Sequence, residues 1–201
     1  IWNLKEDRYE NLWIGTLGGG VQCLRNKNGS MSALETVCEG MKHPLNMHYD
    51  GGDKLYIGTV YGFYVVDIIT GNHIMYMGNK RGTQNFKQML ISNVYQDSND
   101  RIWLGHQEGL TIWDLKGDTL YFFDKDGGLT DNIVNGIIED DHRNIWVTTS
   151  NGISVLSVEH DGYSKIRISS RNFSARDGFK DNYFNSGAIC KLRNGDILLG
   201  G

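Results

Sequence analysis

Short apolar runs of about four to six residues recur along the chain, and the turns between them are rich in Gly, Asp and Asn. Within the runs, apolar positions are either continuous or alternate with polar ones, as in Leu110–Asp114. No run shows the 3.6-residue period of a helix. The pattern therefore predicts short β-strands joined by tight turns, with no convincing helix.

The strand pattern forms an internal repeat. Four segments align around a large aromatic residue, which we call the anchor: 11–16 with Trp13, 54–59 with Tyr56, 101–106 with Trp103, and 144–149 with Trp146. A degenerate fifth segment, 196–201, has Leu198 at the anchor position. The anchors recur 43 to 52 residues apart, a period typical of propeller blades with four strands each.

Two further positions keep a fixed distance from the anchor. In four repeats an aspartate lies six residues before it: Asp7, Asp50, Asp97 and Asp140. A glycine lies six residues after it: Gly19, Gly62, Gly109 and Gly152. We expect each aspartate to accept hydrogen bonds from turn amides, and each glycine to allow a backbone conformation that a Cβ disfavours. Because these aspartates recur in like environments, we interpret them as structural rather than catalytic.

The repeats predict an all-β fold, a β-propeller segment of four-stranded antiparallel blades. We expect about 4.5 blades, part of a ring of about seven, with Trp13, Trp103 and Trp146 buried at equivalent positions between blades. The chain is then one partial propeller, 1–201, cut from a longer protein, and its two end faces are either exposed or covered by a second copy. The approximate blades are 1–40, 41–86, 87–130, 131–184 and the truncated 185–201.

Composition narrows the function classes. Gly supplies 26 of 201 residues and Pro only one, which favours tight turns over a disordered linker. The net charge of −4 argues against direct binding to nucleic acid. No run of about 18 apolar residues occurs, so a membrane would be reached only through segments absent from this sequence. Cys23 and Cys38 either pair across a hairpin or, as we favour, remain free buried thiols.

The repeat pattern resembles that of the two-component regulator propeller family, most clearly in 7–16, 97–105 and 140–149. The segments 126–132 and 177–182 are similar to the links between blades of that family, the second to the link before the last blade of its second propeller. The resemblance implies the periplasmic sensor region of a hybrid regulator in the inner membrane, joined to a stalk domain and a histidine kinase outside these residues. It also implies an oligosaccharide ligand, paired sensor copies and control of polysaccharide-utilisation genes.

Candidate ligand-binding residues lie on the turns after the anchor strands and on one link. Side chains vary there on a fixed scaffold, and aromatic faces suit sugar rings. His106 stands where the other complete repeats have Thr. The candidates are Tyr61, His106, Gln107, Glu108, Asn151 and Tyr183. The alternative is that these turns are solvated loops without a ligand, or that the aromatic residues pack between blades.

We predict no catalytic residue, metal site or cofactor in this segment. The histidines lack HxH or HExxH spacing, and Gly18–Gly20 is not followed by a helix that could hold a phosphate. The first hypothesis, which follows from the family resemblance, is a sensor module that is not an enzyme. A protein-interaction scaffold is the second, and a propeller lyase or glycosidase is the third.

Overall fold

A computed structural model describes residues 1–38, 40–76, 89–160 and 166–201. It confirms the all-β prediction, with four four-stranded antiparallel sheets and two short hairpins. Within the described ranges, the one helical segment is a single 3₁₀ turn, Ala175–Asp177. The chain divides into two compact units, Ile1–Val94 and Tyr95–Gly201.

The first unit holds two sheets. The strands of sheet 1 are β1 (Asn3–Glu6), β2 (Leu12–Thr16) and β3 (Gly20–Leu24), followed by the small hairpin β4 (Asn26–Lys27) and β5 (Ser30–Met31), and then by β6 (Glu35–Cys38). Sheet 1 has the order β1-β2-β3-β6. The strands of sheet 2 are β7 (Pro44–Tyr49), β8 (Lys54–Thr59), β9 (Gly62–Asp67) and β10 (His73–Tyr76), and they pair in sequence order.

Two more sheets and a hairpin follow. The strands of sheet 3 are β11 (Asn93–Gln96), which spans the division between the units, β12 (Arg101–His106), β13 (Gly109–Asp114) and β14 (Thr119–Phe123). The strands of sheet 4 are β15 (Val134–Glu139), β16 (Ile145–Thr149), β17 (Gly152–His160) and β18 (Ile166–Phe173). The final hairpin, sheet 5, has β19 (Ile189–Lys191) and β20 (Ile197–Leu199). The predicted boundaries after 40, 130 and 184 fall between sheets, and the one after 86 lies outside the described residues.

Each unit has its own core, built around an anchor indole. Trp13 clusters with Met47 and Leu55 of sheet 2, and it is fully buried. Trp103 clusters with Ile137 and Ile145 of sheet 4, and it is also fully buried. The anchor thus fills the space between its own sheet and the next one along the chain. Its burial there removes a large apolar surface from water on folding, which stabilises the fold.

The aspartate of each turn accepts hydrogen bonds from groups of its own repeat. In sheet 3, Asp97 Oδ1 accepts the backbone N–H groups of Asn99 and Arg101, both at 2.9 Å. Asp97 Oδ2 accepts a guanidinium N–H of Arg101 and, at 2.8 Å, the indole N–H of Trp103. One carboxylate therefore shapes the turn and orients the anchor, which explains the fixed spacing between the two.

Sheets 1 and 4 repeat this arrangement with Asn in place of Arg. The side-chain donors are Asn11 Nδ2 and Trp13 Nε1 to Asp7, at 2.9 and 2.8 Å, and Asn144 Nδ2 and Trp146 Nε1 to Asp140, both at 2.9 Å. Burial alone would raise the pKa of Asp7 and Asp140, but the hydrogen bonds from indole, asparagine and backbone outweigh it and hold both pKa values below the usual one.

Sheet 2 departs from the pattern because its anchor is Tyr56, which has no ring N–H. Asp50 accepts the backbone N–H groups of Gly52 and Lys54, at 2.7 and 3.0 Å. The turn hydrogen bonds are kept, but sheet 2 has no hydrogen bond from an indole N–H to the carboxylate.

Trp146 holds the position equivalent to those of Trp13 and Trp103, but the expectation that all three indoles are buried is wrong for Trp146. Its indole is only half-buried, whereas Trp13 and Trp103 are fully buried. The neighbour of Trp146 is sheet 5, which has two strands, and a groove of about 540 Å³ remains beside the ring. Phe173 stacks on the indole, with ring centroids 6.3 Å apart. A two-stranded neighbour covers less of the anchor than a four-stranded one.

The third residue after the turn aspartate has a left-handed backbone in three sheets: Glu10 (φ 60°), Asp100 (φ 63°) and Arg143 (φ 66°). In sheet 5 a glycine, Gly195 (φ 90°), takes the same place. Because a Cβ is disfavoured at such φ values, the non-glycine residues store strain there.

We expect Arg143→Gly to raise the unfolding free energy by roughly 0.5–1 kcal/mol, since it relieves this strain. Chemical denaturation measures the change. Arg143→Ala is the matched control, because it removes the same side chain but keeps the Cβ. Equal stability of the two variants would contradict the explanation.

Candidate ligand-binding rim

The candidate rim consists of the turn between the second and third strands of each sheet, together with the links between sheets. In an antiparallel sheet, these turns and the aspartate turns lie at opposite ends of the strands. In the second unit the rim comprises the turns 106–109 and 149–152 and the links 124–133 and 174–184. In the first unit it comprises the turns 16–20 and 59–62.

A threonine closes three of these turns. The hydroxyl groups of Thr16, Thr59 and Thr149 donate to the carbonyl oxygens of Gly20, Gly62 and Gly152, at 3.0–3.1 Å. In two of the turns, the threonine Oγ1 also accepts the backbone N–H of the residue two positions later, at 3.1 Å. The threonine therefore fixes the backbone from which the candidate side chains Tyr61 and Asn151 project.

In sheet 3, His106 accepts the turn N–H that a threonine accepts in sheets 2 and 4. Its Nδ1 accepts the backbone N–H of Glu108, two residues later, at 3.2 Å, and its Nε2 lies 3.1 Å from Thr111 Oγ1. Its ring stacks on Phe122, with centroids 5.8 Å apart. The side chain is only 2% exposed, so it does not face solvent as the rim hypothesis expected. At this position the imidazole therefore holds the turn instead of presenting itself to a ligand.

Burial lowers the pKa of His106 to about 4, because a charged imidazole is disfavoured away from water. Below the unfolded-state pKa of about 6.5, the unfolded chain binds a proton that the folded chain does not bind until about pH 4. We therefore expect the unfolding free energy to fall by about 3 kcal/mol as the pH drops through this window. Denaturation of His106→Thr between pH 7 and 4.5 should show a smaller loss.

His142→Thr is the matched control for this prediction, since His142 is exposed in the same unit. His48 in the first unit has its pKa lowered to about 4 by burial and contributes in the same direction, so only the difference between variants reports on His106. An unchanged pH dependence in His106→Thr would contradict the assignment.

Glycine is required where the turn returns into the third strand. A Cβ on Gly109 would lie 2.6 Å from the carbonyl oxygen of Phe123, and a Cβ on Gly152 would lie 2.6 Å from that of Phe173. In sheet 1 the equivalent residue is Gly20, with φ 71° and a Cβ position 2.8 Å from the Met41 carbonyl oxygen. The alignment of Gly19 with this position is therefore one residue off, because the first turn is one residue longer.

The two links of the second unit share one side-chain hydrogen bond. Asn132 and Asn182 each accept, through Oδ1, a backbone N–H from seven residues earlier, donated by Lys125 and Ala175 respectively. In the second link, the carbonyl oxygen of Asn182 accepts the N–H of Gly152 at 2.7 Å. Both links are thus closed loops with fixed backbones.

The turn 149–152 is held from both sides. Thr130 of the first link lies 2.9 Å from Thr149, oxygen to oxygen, and donates its N–H to Ser154 Oγ at 2.9 Å. Asn182 of the second link donates to Asn151 Oδ1 at 3.2 Å. These hydrogen bonds hold Asn151 beside the link that carries Tyr183.

The predicted side chains differ in accessibility. Gln107, Glu108 and Asn151 are exposed, and Tyr61 and Tyr183 are about half exposed, at 50% and 54%. Tyr61 has His43 beside it, with ring centroids 6.1 Å apart. The second unit brings Asn151 and Tyr183 together through Asn182.

A cavity of about 390 Å³ lies next to Tyr183 in the second unit. Its lining combines aromatic and aliphatic side chains with one acid and one base: Phe179, Lys180, Asp181, Tyr183, Phe184, Ile197, Leu198, Leu199 and Gly201. Sequence analysis chose only Tyr183 from this set. The sequence feature that could have identified Phe179, Lys180 and Asp181 as lining residues is their place in the link 177–182. We interpreted that link only as a connection between blades.

The described part of the chain gives little support for a metal site or a disulfide bond. Among those residues, no group of three or more His, Cys, Asp or Glu side chains is placed to hold a metal ion. Cys23 and Cys38 are free and buried, and burial raises their pKa values to about 11 and about 12. Within the same residues, no helix is long and apolar enough to span a membrane.

Comparison with known proteins adds an independent observation. The sequence profile described as "two component regulator propeller" matches residues 128–151, which run from the first link through the aspartate turn and Trp146 to the turn 149–152. Residues 128–151 are therefore similar to a two-component regulator propeller repeat. No curated protein matches the chain in sequence.

Solved structures match the fold of the whole chain. The extracellular domains of the hybrid two component systems BT4673 and BT3049 from B. thetaiotaomicron match all of it at 18% identity, with TM-scores of 0.64 and 0.52. Virginiamycin B lyase from Staphylococcus aureus matches 99% of it at 9% identity, with a TM-score of 0.66. The chain spans 30%, 37% and 62% of these three proteins. The fold is therefore that of a partial β-propeller, whose blades are the sheets described above.

Proposed function

We propose that the chain is a ligand-sensing segment of the extracytoplasmic propeller of a hybrid two-component regulator. The observation that carries this proposal is the match of residues 128–151 to the two-component regulator propeller model, a stretch that includes most of the turn 149–152. In this proposal the segment binds rather than catalyses, since its repeated aspartates accept hydrogen bonds from their turns and from the anchor indoles. The parent protein lies in the inner membrane, with this part in the periplasm.

The ligand in this proposal is an oligosaccharide. In the second unit, Tyr183 offers a half-exposed aromatic face, and Gln107, Glu108 and Asn151 offer exposed amide and carboxylate groups on turns. In the first unit, Tyr61 offers a half-exposed aromatic face of its own. Sugar rings combine an apolar CH face with a hydroxyl-rich edge, and this mixture of side chains suits both. Binding would shift the arrangement of paired sensor copies, which a stalk domain would relay to a kinase that controls polysaccharide-utilisation genes.

Calorimetry with a panel of oligosaccharides from plant and host polysaccharides tests the proposal. We expect binding heat with one glycan class and no change in the glycan on prolonged incubation. Tyr61→Ala should weaken the affinity roughly tenfold if that ring stacks on the sugar. Tyr9→Ala is the matched control, because Tyr9 is a similarly exposed tyrosine, at 47%, on the aspartate turn of the same unit.

Two outcomes would contradict the proposal. Cleavage of a glycan would make the segment an enzyme, the alternative that shares its fold with the lyase neighbour at 9% identity. If no oligosaccharide of the panel gave binding heat and the segment captured a defined protein instead, an interaction scaffold would be favoured.

A further inference from the structure

A groove of about 620 Å³ lies between sheets 1 and 2, within the first unit. One wall combines Arg25, which follows β3, with the start of β6, and the other wall is the turn from β9 into β10. β3 and β9 both end at the level of the aspartate turns, since Leu24 pairs with Leu12 and Asp67 with Lys54. The groove is therefore at the opposite end of the strands from the candidate rim.

The groove is mostly polar, and it carries side chains of both charges. The polar lining residues are Arg25, Glu35, Thr36, Thr70, Asn72 and His73. Beside them the two sheets are in close contact, because a Cβ on Gly71 of the turn would lie 3.0 Å from Val37 Cγ1 of β6. This mixture of hydroxyl, amide and charged groups suits a hydroxyl-rich ligand rather than an apolar one.

Arg25 is held in place through both its backbone and its side chain. Its backbone N–H donates to Ser32 Oγ at 3.0 Å, and its carbonyl oxygen accepts the Ser32 N–H at 2.8 Å. Its Nη1 donates to the Ile68 carbonyl oxygen at 2.9 Å, and the guanidinium carbon lies 5.2 Å from the centroid of the Trp13 ring. The guanidinium is therefore oriented before a ligand arrives.

Most donors of this guanidinium are unused. An arginine side chain carries five N–H groups, and within the described residues Arg25 donates from its side chain only to Ile68. Its one acidic partner among those residues is Glu35, whose Oε2 lies 3.8 Å from Nε, beyond the distance of a hydrogen bond. The Arg25 side chain is 22% exposed and that of Glu35 is 50% exposed. A fixed cation with free N–H groups and a loosely associated carboxylate thus line the groove.

The turn between β9 and β10 adds further donors. The backbone of Asn72 is fixed, since its N–H donates to Thr70 Oγ1 at 3.2 Å and its carbonyl oxygen accepts the Asp67 N–H at 2.8 Å. Its side-chain amide lines the groove without a hydrogen bond to any described residue. The imidazole of His73 follows, with its ring 6.4 Å from that of Tyr64. Amide and imidazole groups therefore share the groove with the guanidinium.

We propose that this groove binds the carboxylate of an acidic sugar, which takes the free N–H groups of Arg25 and displaces Glu35 from beside it. The planar fork of a guanidinium matches the two oxygens of a carboxylate, and such charge-assisted bonds are short and strong. Asn72 and His73 bind hydroxyl groups of the sugar ring. The site is separate from the rim and does not rest on the function proposed for it.

A nuclear magnetic resonance titration of isotope-labelled protein with trigalacturonate tests this. We expect the signals of the Arg25 side chain and of the amides of 70–73 to shift, and the methyl ester of the same trisaccharide to bind at least roughly tenfold more weakly. Arg25→Lys keeps the charge but loses the fork, so it should weaken binding by roughly tenfold. Circular dichroism must show an unchanged fold.

Glu35→Gln separates a ligand site from a structural ion pair. It removes the competing carboxylate, so the affinity for trigalacturonate should rise by roughly threefold, whereas a purely structural pair predicts no gain. Glu6→Gln is the matched control, because Glu6 is an exposed glutamate of sheet 1 that does not line the groove. Tyr61→Ala should leave the shifts at Arg25 unchanged, so failure of the rim proposal and failure of this one are distinguishable.

Four results would overturn the proposal. They are an absence of shifts at Arg25 at saturating trigalacturonate, equal affinity for the acid and its ester, wild-type affinity in Arg25→Lys, and no gain in Glu35→Gln. A short acetylated peptide with a free C-terminal carboxylate is the competing probe. Tighter binding of that peptide than of trigalacturonate would assign the groove to a peptide terminus and overturn the assignment to a sugar.

Discussion

We expect Asp97→Ala to lower the unfolding free energy of the second unit by about 3–5 kcal/mol. The carboxylate and the Arg101 guanidinium are both buried, with side-chain exposures of 0% and 2%. Removing the carboxylate leaves a buried cation without its counter-ion. It also removes the acceptor for the Trp103 indole and for two backbone N–H groups. Urea denaturation followed by far-UV circular dichroism measures the loss.

Two variants serve as controls for this prediction. Arg101→Asn should cost less than Asp97→Ala, because Asn donates to the equivalent carboxylate in sheets 1 and 4 and the indole and turn bonds to Asp97 remain. Asp50→Ala should cost about 1 kcal/mol, since that aspartate holds two backbone N–H groups and no indole. If Asp97→Ala and Asp50→Ala cost the same, the carboxylate does not hold the anchor as described.

The second large effect concerns the anchor itself. Trp103→Ala should lower the unfolding free energy by roughly 3–5 kcal/mol, because it opens a cavity in a core that excludes water. The indole is fully buried among Leu110, Ile137 and Ile145. The same substitution at Trp146 should cost about half as much, since that ring already faces a groove.

The comparison of the two anchors uses one substitution, one unit and one denaturant, so the difference reports on burial alone. Near-ultraviolet circular dichroism should lose its tryptophan signal more strongly in Trp103→Ala. A Trp146→Ala variant as unstable as Trp103→Ala would show that sheet 5 covers its anchor as fully as sheet 4 covers Trp103.

The sheet architecture and the role of the aspartates could be predicted from the sequence because both depend on local spacing. An Asp six residues before Trp is within reach of the indole N–H whenever a tight turn lies between them, and three sheets show that bond. The position of Gly20 could not be predicted in this way. A turn that is one residue longer leaves the sequence pattern intact and moves the glycine that must accommodate the Met41 carbonyl oxygen.

The candidate site was less predictable because exposure depends on distant contacts. Nothing near His106 in sequence shows that Phe122 stacks on its ring or that Nδ1 accepts a turn amide. Likewise, the incomplete burial of Trp146 depends on sheet 5, which begins more than 40 residues later. The link residues around Phe179 look like a connection in sequence, and only the fold shows them lining a cavity.

Hydrogen exchange with and without bound oligosaccharide tests the central claim most directly. Peptides that cover the turns 59–62, 106–109 and 149–152 should gain protection when the ligand binds, while those that cover the aspartate turns 7–11, 97–101 and 140–144 should not change. Protection confined to the aspartate turns, or the absence of any protection at saturating glycan, would contradict a sensor that reads its ligand on this rim.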